Sequence, residues 1–115
     1  MKYLTLVTIN SKFNIMYANT WFLRLRGLLG RELKINEGML IEPCNSVHTL
    51  WMKYDLDIIY INKNNQIVKI IKKLKPWKLS VCNAAFKTLE LPADTVDYIG
   101  LKVGDFLEFE KEEFK

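Results

Sequence analysis

The chain has 115 residues, of which 50% are hydrophobic, and it carries a formal net charge of +4 at pH 7. This length suits one domain. The apolar content is high enough to form a core without disulfide or metal staples, and a chain of this composition is not expected to be disordered. The modest positive excess lies well short of the charge of a typical nucleic-acid binder, so we expect no nucleic-acid partner.

The first part of the chain is predicted to form two strands and a helix. Residues rich in β-branched and aromatic types predict strands at 2–9 and 12–18, joined by a turn that makes them a hairpin. Asn19 or Thr20 is then able to cap a helix, because the apolar residues that follow share one helical face. Gly30 ends this helix.

The remainder of the chain is predicted to be mostly strand. The predicted strands are 39–41, 54–61, 66–73, 85–91 and 105–110, with a further extended but irregular segment at 43–52. The turn at 62–65 contains asparagines, which tolerate left-handed backbone conformations, so 54–73 is predicted to be a hairpin. Pro92 stops a strand, and Asp94 or Thr95 caps a short helix that ends at Gly100.

These elements predict a single domain over 1–115, with a charged tail at 111–115 that frays. About seven short strands and two short helices favour a mainly-β (α+β) fold, a compact barrel-like or sandwiched antiparallel sheet. No apolar run approaches the roughly 20 residues of a membrane span, and no signal-peptide pattern opens the sequence. Only two cysteines occur, Cys44 and Cys82, so we expect reduced thiols in a cytoplasmic protein without a membrane partner.

Several segments, taken in order, resemble one known family, DUF192 (UPF0127-like). These segments are Arg26 to Arg31, Gly38 to Ile41, Pro43 to Met52, Leu56 to Ile61, Pro76 to Lys78, Leu89 to Pro92, and Gly104-Asp105. They span about residues 20–109, and Leu29 departs from the methionine that is usual at its position. The resemblance implies a compact β-rich fold with short helices. It implies no activity, because the function of the family is not established.

One set of residues has metal-ligand chemistry. Cys44, His48 and Met52 are four residues apart, so their side chains would share a face of a strand or a helix. A thiolate, an imidazole and a thioether suit copper(I), and Cys82 as a fourth ligand would suit zinc. Strand residues four apart lie roughly 13 Å apart, so a shared metal requires a kink. In the alternative, the two sulfur residues pack in the core and His48 bonds to backbone.

Two other patterns have the chemistry of an active site. Cys44 and His48 would act as nucleophile and base if they met, although no cysteine-enzyme signature surrounds Cys44. Asp55 and Asp57 share a strand face, and Glu90 approaches them if its strand is adjacent. Paired carboxylates perform acid–base chemistry or bind hard cations.

Basic residues supply further candidates. Arg24, Arg26 and Arg31 form an anion pocket or, in the alternative, a solvated helix face. An ion pair from Asp57 to Arg26 or Arg31 would instead attach the helix to the sheet. Six lysines between 63 and 78 stand beside Trp77, a pattern that binds nucleic acid or else protects an exposed strand from aggregation.

The leading hypothesis is therefore a binding or accessory domain with a pocket beside residues 48–52. Its expected ligand contacts are Arg26, Arg31, His48, Trp51 and Asp57, for an unknown ligand or protein partner. An interaction protein without a small ligand ranks second, and a thiol- or metal-dependent enzyme ranks third. No complete catalytic set can be assembled, and for that reason the enzyme ranks last.

Overall fold

A computed structural model describes residues 2–9, 11–19 and 32–111. Nine strands and one helix form the described part. They are β1 (Lys2–Val7), β2 (Lys12–Ala18), β3 (Glu37–Ile41), β4 (Ser46–His48), β5 (Leu56–Ile61), β6 (Ile67–Leu74), β7 (Leu79–Val81), β8 (Lys87–Pro92), α1 (Thr95–Ile99) and β9 (Glu108–Lys111). No helix in these three ranges is long and apolar enough to cross a membrane.

Seven strands form one sheet in the order β6-β5-β8-β3-β2-β1-β9, while β4 and β7 form a separate two-stranded ribbon. The pairing of β2 with β3 is parallel, and the other described pairings are antiparallel. The mainly-β prediction is confirmed, but the sheet is mixed rather than wholly antiparallel.

The large sheet does not close into a barrel. An isolated bridge joins Gln66, just before β6, to Phe106, just before β9. The backbone N–H of Ile67 also donates to the carbonyl of Asp105, at 2.8 Å. These bonds bring the two outer strands together at one end only, so the shape is barrel-like while the sheet stays open.

Alternating side chains divide the core between the two faces of the large sheet. Ile59 and Leu89 belong to a cluster on one face, which we call the first cluster. Ile58 and Tyr60 belong to a cluster on the other face, the second cluster. All six residues of β5 are buried, because β5 pairs with strands on both sides and has a core on both faces. The ribbon packs over the second cluster through Val47.

Helix α1 begins where the sequence predicts, but its first turn is capped from another element. Asp94 is the residue before the helix, and its side chain makes no capping hydrogen bond. Asp57 on β5 supplies the acceptor instead, since its carboxylate accepts the N–H of Val96 at 2.9 Å. The other carboxylate oxygen accepts the N–H of Lys73, also at 2.9 Å. One buried side chain thus joins β5, β6 and α1.

The prediction and the structure differ at two segments, residues 43–52 and strand β7. The extended segment at 43–52 is a strand only over β4, after which the chain turns at 50–51. Strand β7 was not predicted, because it has three residues and exposes two of them, which leaves no alternation to detect. The helix predicted from Asn19 or Thr20 to Gly30 lies outside the described residues.

Candidate functional site

The β4–β7 ribbon has a buried side and an exposed side. Its register pairs Val47 with Ser80 and His48 with Leu79. Val47 is buried, and the hydroxyl of Tyr60 donates to the Ser80 oxygen at 2.8 Å beneath the ribbon. His48 and Leu79 face outward, and Leu79 is 75% exposed. The ribbon therefore presents an imidazole and an aliphatic side chain to solvent.

Thr49, directly after β4, joins two loops at one end of the ribbon: the loop that follows β4 and the loop that connects β6 to β7. This residue is buried, and its hydroxyl donates to the carbonyl of Lys75 at 2.6 Å and accepts the N–H of Lys78 at 2.9 Å. Its own N–H donates to the Lys78 carbonyl at 2.9 Å. Its carbonyl accepts the N–H groups of Trp77, at 2.9 Å, and Met52, at 3.1 Å. Five hydrogen bonds at one residue fix both loops.

The two loops present a pair of exposed tryptophans. Trp51 is 69% exposed and Trp77 is 55% exposed, yet their ring centroids lie 4.7 Å apart in an edge-to-face arrangement. Both residues have positive φ, 68° for Trp51 and 65° for Trp77. Such a conformation is unfavourable for a bulky residue and persists only where the surrounding contacts impose it. The hydrogen bonds of Thr49 are those contacts.

Thr49→Val removes the hydroxyl while keeping the size of the side chain. We expect the free energy of unfolding to fall by about 1–3 kcal/mol, because the partly buried N–H of Lys78 loses its acceptor and the carbonyl of Lys75 loses its donor. The near-ultraviolet circular dichroism of the Trp51–Trp77 pair should weaken as well. Thr49→Ser keeps the hydroxyl and is expected to retain most of the stability in urea unfolding. Equal losses in both variants would assign the effect to the methyl group rather than to the hydrogen bonds.

The predicted metal ligands are not brought together. His48 is exposed on the outer side of the ribbon, whereas Cys44 and Met52 are half-buried and pack against the second cluster. The extended chain keeps Cys44 and His48 on the order of 10 Å apart. Across residues 2–9, 11–19 and 32–111, no group of three or more His, Cys, Asp or Glu residues is able to hold a metal ion.

A nucleophile–base pair at the same residues has no support from the geometry either. The Cys44 thiol donates to the carbonyl of Ser46 at 3.0 Å and is not hydrogen-bonded to His48. A general base has to reach the proton that it removes, directly or through one water. The exposed imidazole is therefore free for contact with a ligand.

The carboxylates also separate. In the sheet register Asp57 is paired with Leu91, and Glu90 is paired with Ile58. Paired residues share a face and consecutive residues alternate, so the carboxylates of Asp57 and Glu90 lie on opposite faces of the sheet. Both oxygens of Asp57 are occupied by the backbone N–H groups of β6 and α1. Asp55 is partly exposed and lies 4.0 Å from Lys75. The carboxylates of 55, 57 and 90 therefore do not form one acid–base site.

Glu90 is the buried acid that the sequence pattern did not reveal. Glu90 is only 7% exposed, and its carboxylate makes no hydrogen bond or ion pair with another described residue. Burial raises the pKa of this carboxyl to about 7. On the same face, burial raises the pKa of the Tyr60 hydroxyl, with smaller contributions from Cys44, Cys82 and Glu90. The sequence predicted that Glu90 lies on a strand, but not that its side chain is buried.

Three of the six lysines of the basic stretch lie near an acid. Lys72 pairs with Asp97 at 2.6 Å, and Lys73 pairs with Asp94 at 2.9 Å. Lys63 lies over the ring of an aromatic residue at 4.9 Å from its centroid. On β6, two of the three lysines are thus paired with acids, which leaves less positive charge for a phosphate backbone. The predicted ligand contacts Arg26 and Arg31 lie outside the described residues.

Comparison with known proteins gives one consistent family. The profile of the DUF192 family, described as "Uncharacterized ACR", matches residues 5–109. A UPF0127 protein of Thermococcus sibiricus is 28% identical over 106 residues, covering 86% of this chain and 68% of that protein.

Solved structures show the same fold. A protein of Sinorhizobium meliloti, named as a candidate transcription regulator, has a TM-score of 0.81 at 23% identity, covering 94% of this chain and 92% of its own. A protein of unknown function from Novosphingobium aromaticivorans has a TM-score of 0.77 at 22% identity, with coverages of 92% and 83%. At these identities the likeness concerns the fold alone.

Proposed function

This chain belongs to the DUF192 family, whose biochemical role is unassigned, and we propose that it is a small binding module. The proposed ligand surface is formed by Trp51, Trp77 and His48. The observation that carries the proposal is the exposed tryptophan pair, held in an unfavourable backbone conformation by the buried Thr49. Fixed exposed aromatic rings lose little conformational freedom on binding, so they bind flat apolar groups effectively.

The charges around the pair indicate the chemistry of the ligand. Lys53 and Lys78 are exposed beside the two tryptophans, and neither makes an ion pair with another described residue. The exposed His48 adds a hydrogen-bonding group. A planar ring that carries an anionic group would stack on the tryptophans while its charge meets a lysine. We therefore propose aromatic or heterocyclic anions as the ligand class.

Calorimetric titration with adenosine monophosphate and with indole-3-carboxylate tests this surface. We expect binding to the natural chain and a loss of about tenfold or more in affinity for Trp51→Ala and for Trp77→Ala, since each removes a stacking face. Tyr98→Ala is the matched control, because Tyr98 is an exposed aromatic residue (75%) on α1. Two control compounds should bind more weakly: cyclohexanecarboxylate, whose ring is saturated rather than aromatic, and benzyl alcohol, which has no charge.

Two results would contradict the proposal. One is the absence of binding to the natural chain by either aromatic anion. The other is an equal loss of affinity in Tyr98→Ala, which would place the binding surface elsewhere. Because Thr49 positions both tryptophans, Thr49→Val should also weaken binding, while Thr49→Ser should not.

A second candidate function, as a protein-interaction surface, is favoured by the outer face of the ribbon. Leu79 and Val81 are 75% and 57% exposed on the same side of β7, next to the loop that carries Trp77. Exposed apolar side chains that adjoin one another are typical of protein contact surfaces. If both anions fail to bind while sedimentation shows concentration-dependent self-association, this second function is the better account.

A further inference from the structure

We propose that Cys44 and Cys82 form a reversible disulfide when the protein meets a low-molecular-weight disulfide. The pair lies at the opposite end of the ribbon from the tryptophans, so this site is separate from the ligand surface proposed above. Both cysteines are free thiols and both are half-buried, which leaves them accessible to a small oxidant.

The strand register brings the two residues close. The N–H of Cys82 donates to the carbonyl of Asn45 at 2.8 Å, which continues the β4–β7 register by one residue pair. Cys44 directly precedes Asn45. Neighbouring antiparallel strands therefore set the Cα atoms of Cys44 and Cys82 roughly 6–7 Å apart. That separation is within the upper part of the range that a disulfide spans.

A bend in the chain turns both side chains to the same side. In a regular strand Cys44 would point outward, because Val47, three residues later, points inward. Asn45 lies in a bend and is exposed, as is Ser46, so the alternation is broken between Cys44 and Val47. Cys44 is half-buried instead, and it packs with Cys82 against the same second cluster.

The electrostatic surroundings of Tyr60 agree with this placement. Burial is the main cause that raises the pKa of the Tyr60 hydroxyl, and Cys44 and Cys82 each raise it further. Both sulfurs therefore lie within electrostatic range of one oxygen atom. Tyr60 is fully buried on β5 beneath the ribbon, so this places both sulfurs towards the inner side of the ribbon.

The reaction is a thiol–disulfide exchange. One thiol loses its proton, attacks a sulfur of oxidised glutathione, and forms a mixed disulfide while reduced glutathione leaves. The second thiol loses its proton and attacks the protein sulfur of that mixed disulfide, which releases a second glutathione. The two protein thiols give up two electrons in total, and the S–S bond of the oxidant accepts them.

Intact mass spectrometry after incubation with oxidised glutathione tests the proposal. We expect the natural chain to lose the mass of two hydrogens, to become resistant to maleimide labelling, and to regain both thiols on reduction. Cys44→Ser and Cys82→Ser should each instead retain one glutathione, because neither variant has a second thiol to release it. The decisive measurement is made on the natural chain, so the test does not depend on how well the variants fold.

Three results would overturn the proposal. Two glutathione adducts on one natural chain would show that the sulfurs do not reach each other. A covalent dimer on a non-reducing gel would show that they react only between molecules. A natural chain that stays fully reduced, while a reference dithiol in the same buffer is oxidised, would show that the ribbon does not permit the bond.

Discussion

Replacing Asp57 with alanine should lower the free energy of unfolding by about 3 kcal/mol or more. The residue is 1% exposed, and its carboxylate accepts two backbone hydrogen bonds of 2.9 Å, from Lys73 and Val96. Hydrogen bonds to a charged acceptor contribute about 1.5–3 kcal/mol each, and alanine leaves the buried N–H of Val96 and the partly buried N–H of Lys73 without a partner. The start of α1 loses its acceptor at the same time, because Asp94 does not cap it.

Urea unfolding followed by tryptophan fluorescence measures this loss. Asp55→Ala is the matched control, since Asp55 lies two residues earlier and makes only a long, exposed ion pair with Lys75 at 4.0 Å. Such a pair contributes about 1 kcal/mol at most. If the two variants were equally stable, Asp57 would not join the strands to the helix. Asp57→Asn should fall between them, because its amide retains one acceptor oxygen.

Glu90→Gln is expected to stabilise the protein at pH 8 by about 3 kcal/mol and to change its stability little at pH 4. Burial raises the pKa of the folded carboxyl from 4.5 to about 7. Between these two values the folded state holds a proton that the unfolded chain has released. The unfolding free energy of the natural chain therefore falls as the pH rises from 4.5 to about 7, and glutamine has no proton to lose.

The measurement is the difference in unfolding free energy between the two proteins from pH 4 to pH 8. Taking a difference cancels the titration of groups that both proteins share. Glu108→Gln, which replaces an exposed acid on β9, serves as the control with which the Glu90→Gln profile is compared. A flat profile for Glu90→Gln would mean that other groups in the folded protein stabilise the charged Glu90 carboxylate enough to offset its burial.

The strands were largely predictable because their signals are local. The buried run of β5 and the asparagine turn that follows it predicted the hairpin of β5 and β6, and the structure confirms it. The start of α1 after Asp94 is confirmed as well. The parallel pairing of β2 with β3 depends on where a distant part of the chain returns, and no local pattern encodes that.

The site was only partly predictable, for a related reason. Trp51 and His48 were predicted as ligand contacts, and both are exposed, three residues apart in the chain. The contact of Trp51 with Trp77 joins residues that are distant in sequence, and a single threonine holds it in place. The regular spacing of Cys44, His48 and Met52 suggested a shared ligand set, but the chain turns after β4 and separates them.

The position of β8 in the sheet affects how the protein is made. This strand lies between β3 and β5, although it follows both of them in the sequence. Until residues 87–92 have emerged from the ribosome, β3 and β5 each lack the strand that pairs with them both, and unpaired strand edges are where nascent chains aggregate. The sheet is completed only when nearly the whole chain has emerged, so folding depends on contacts between distant segments and is comparatively slow.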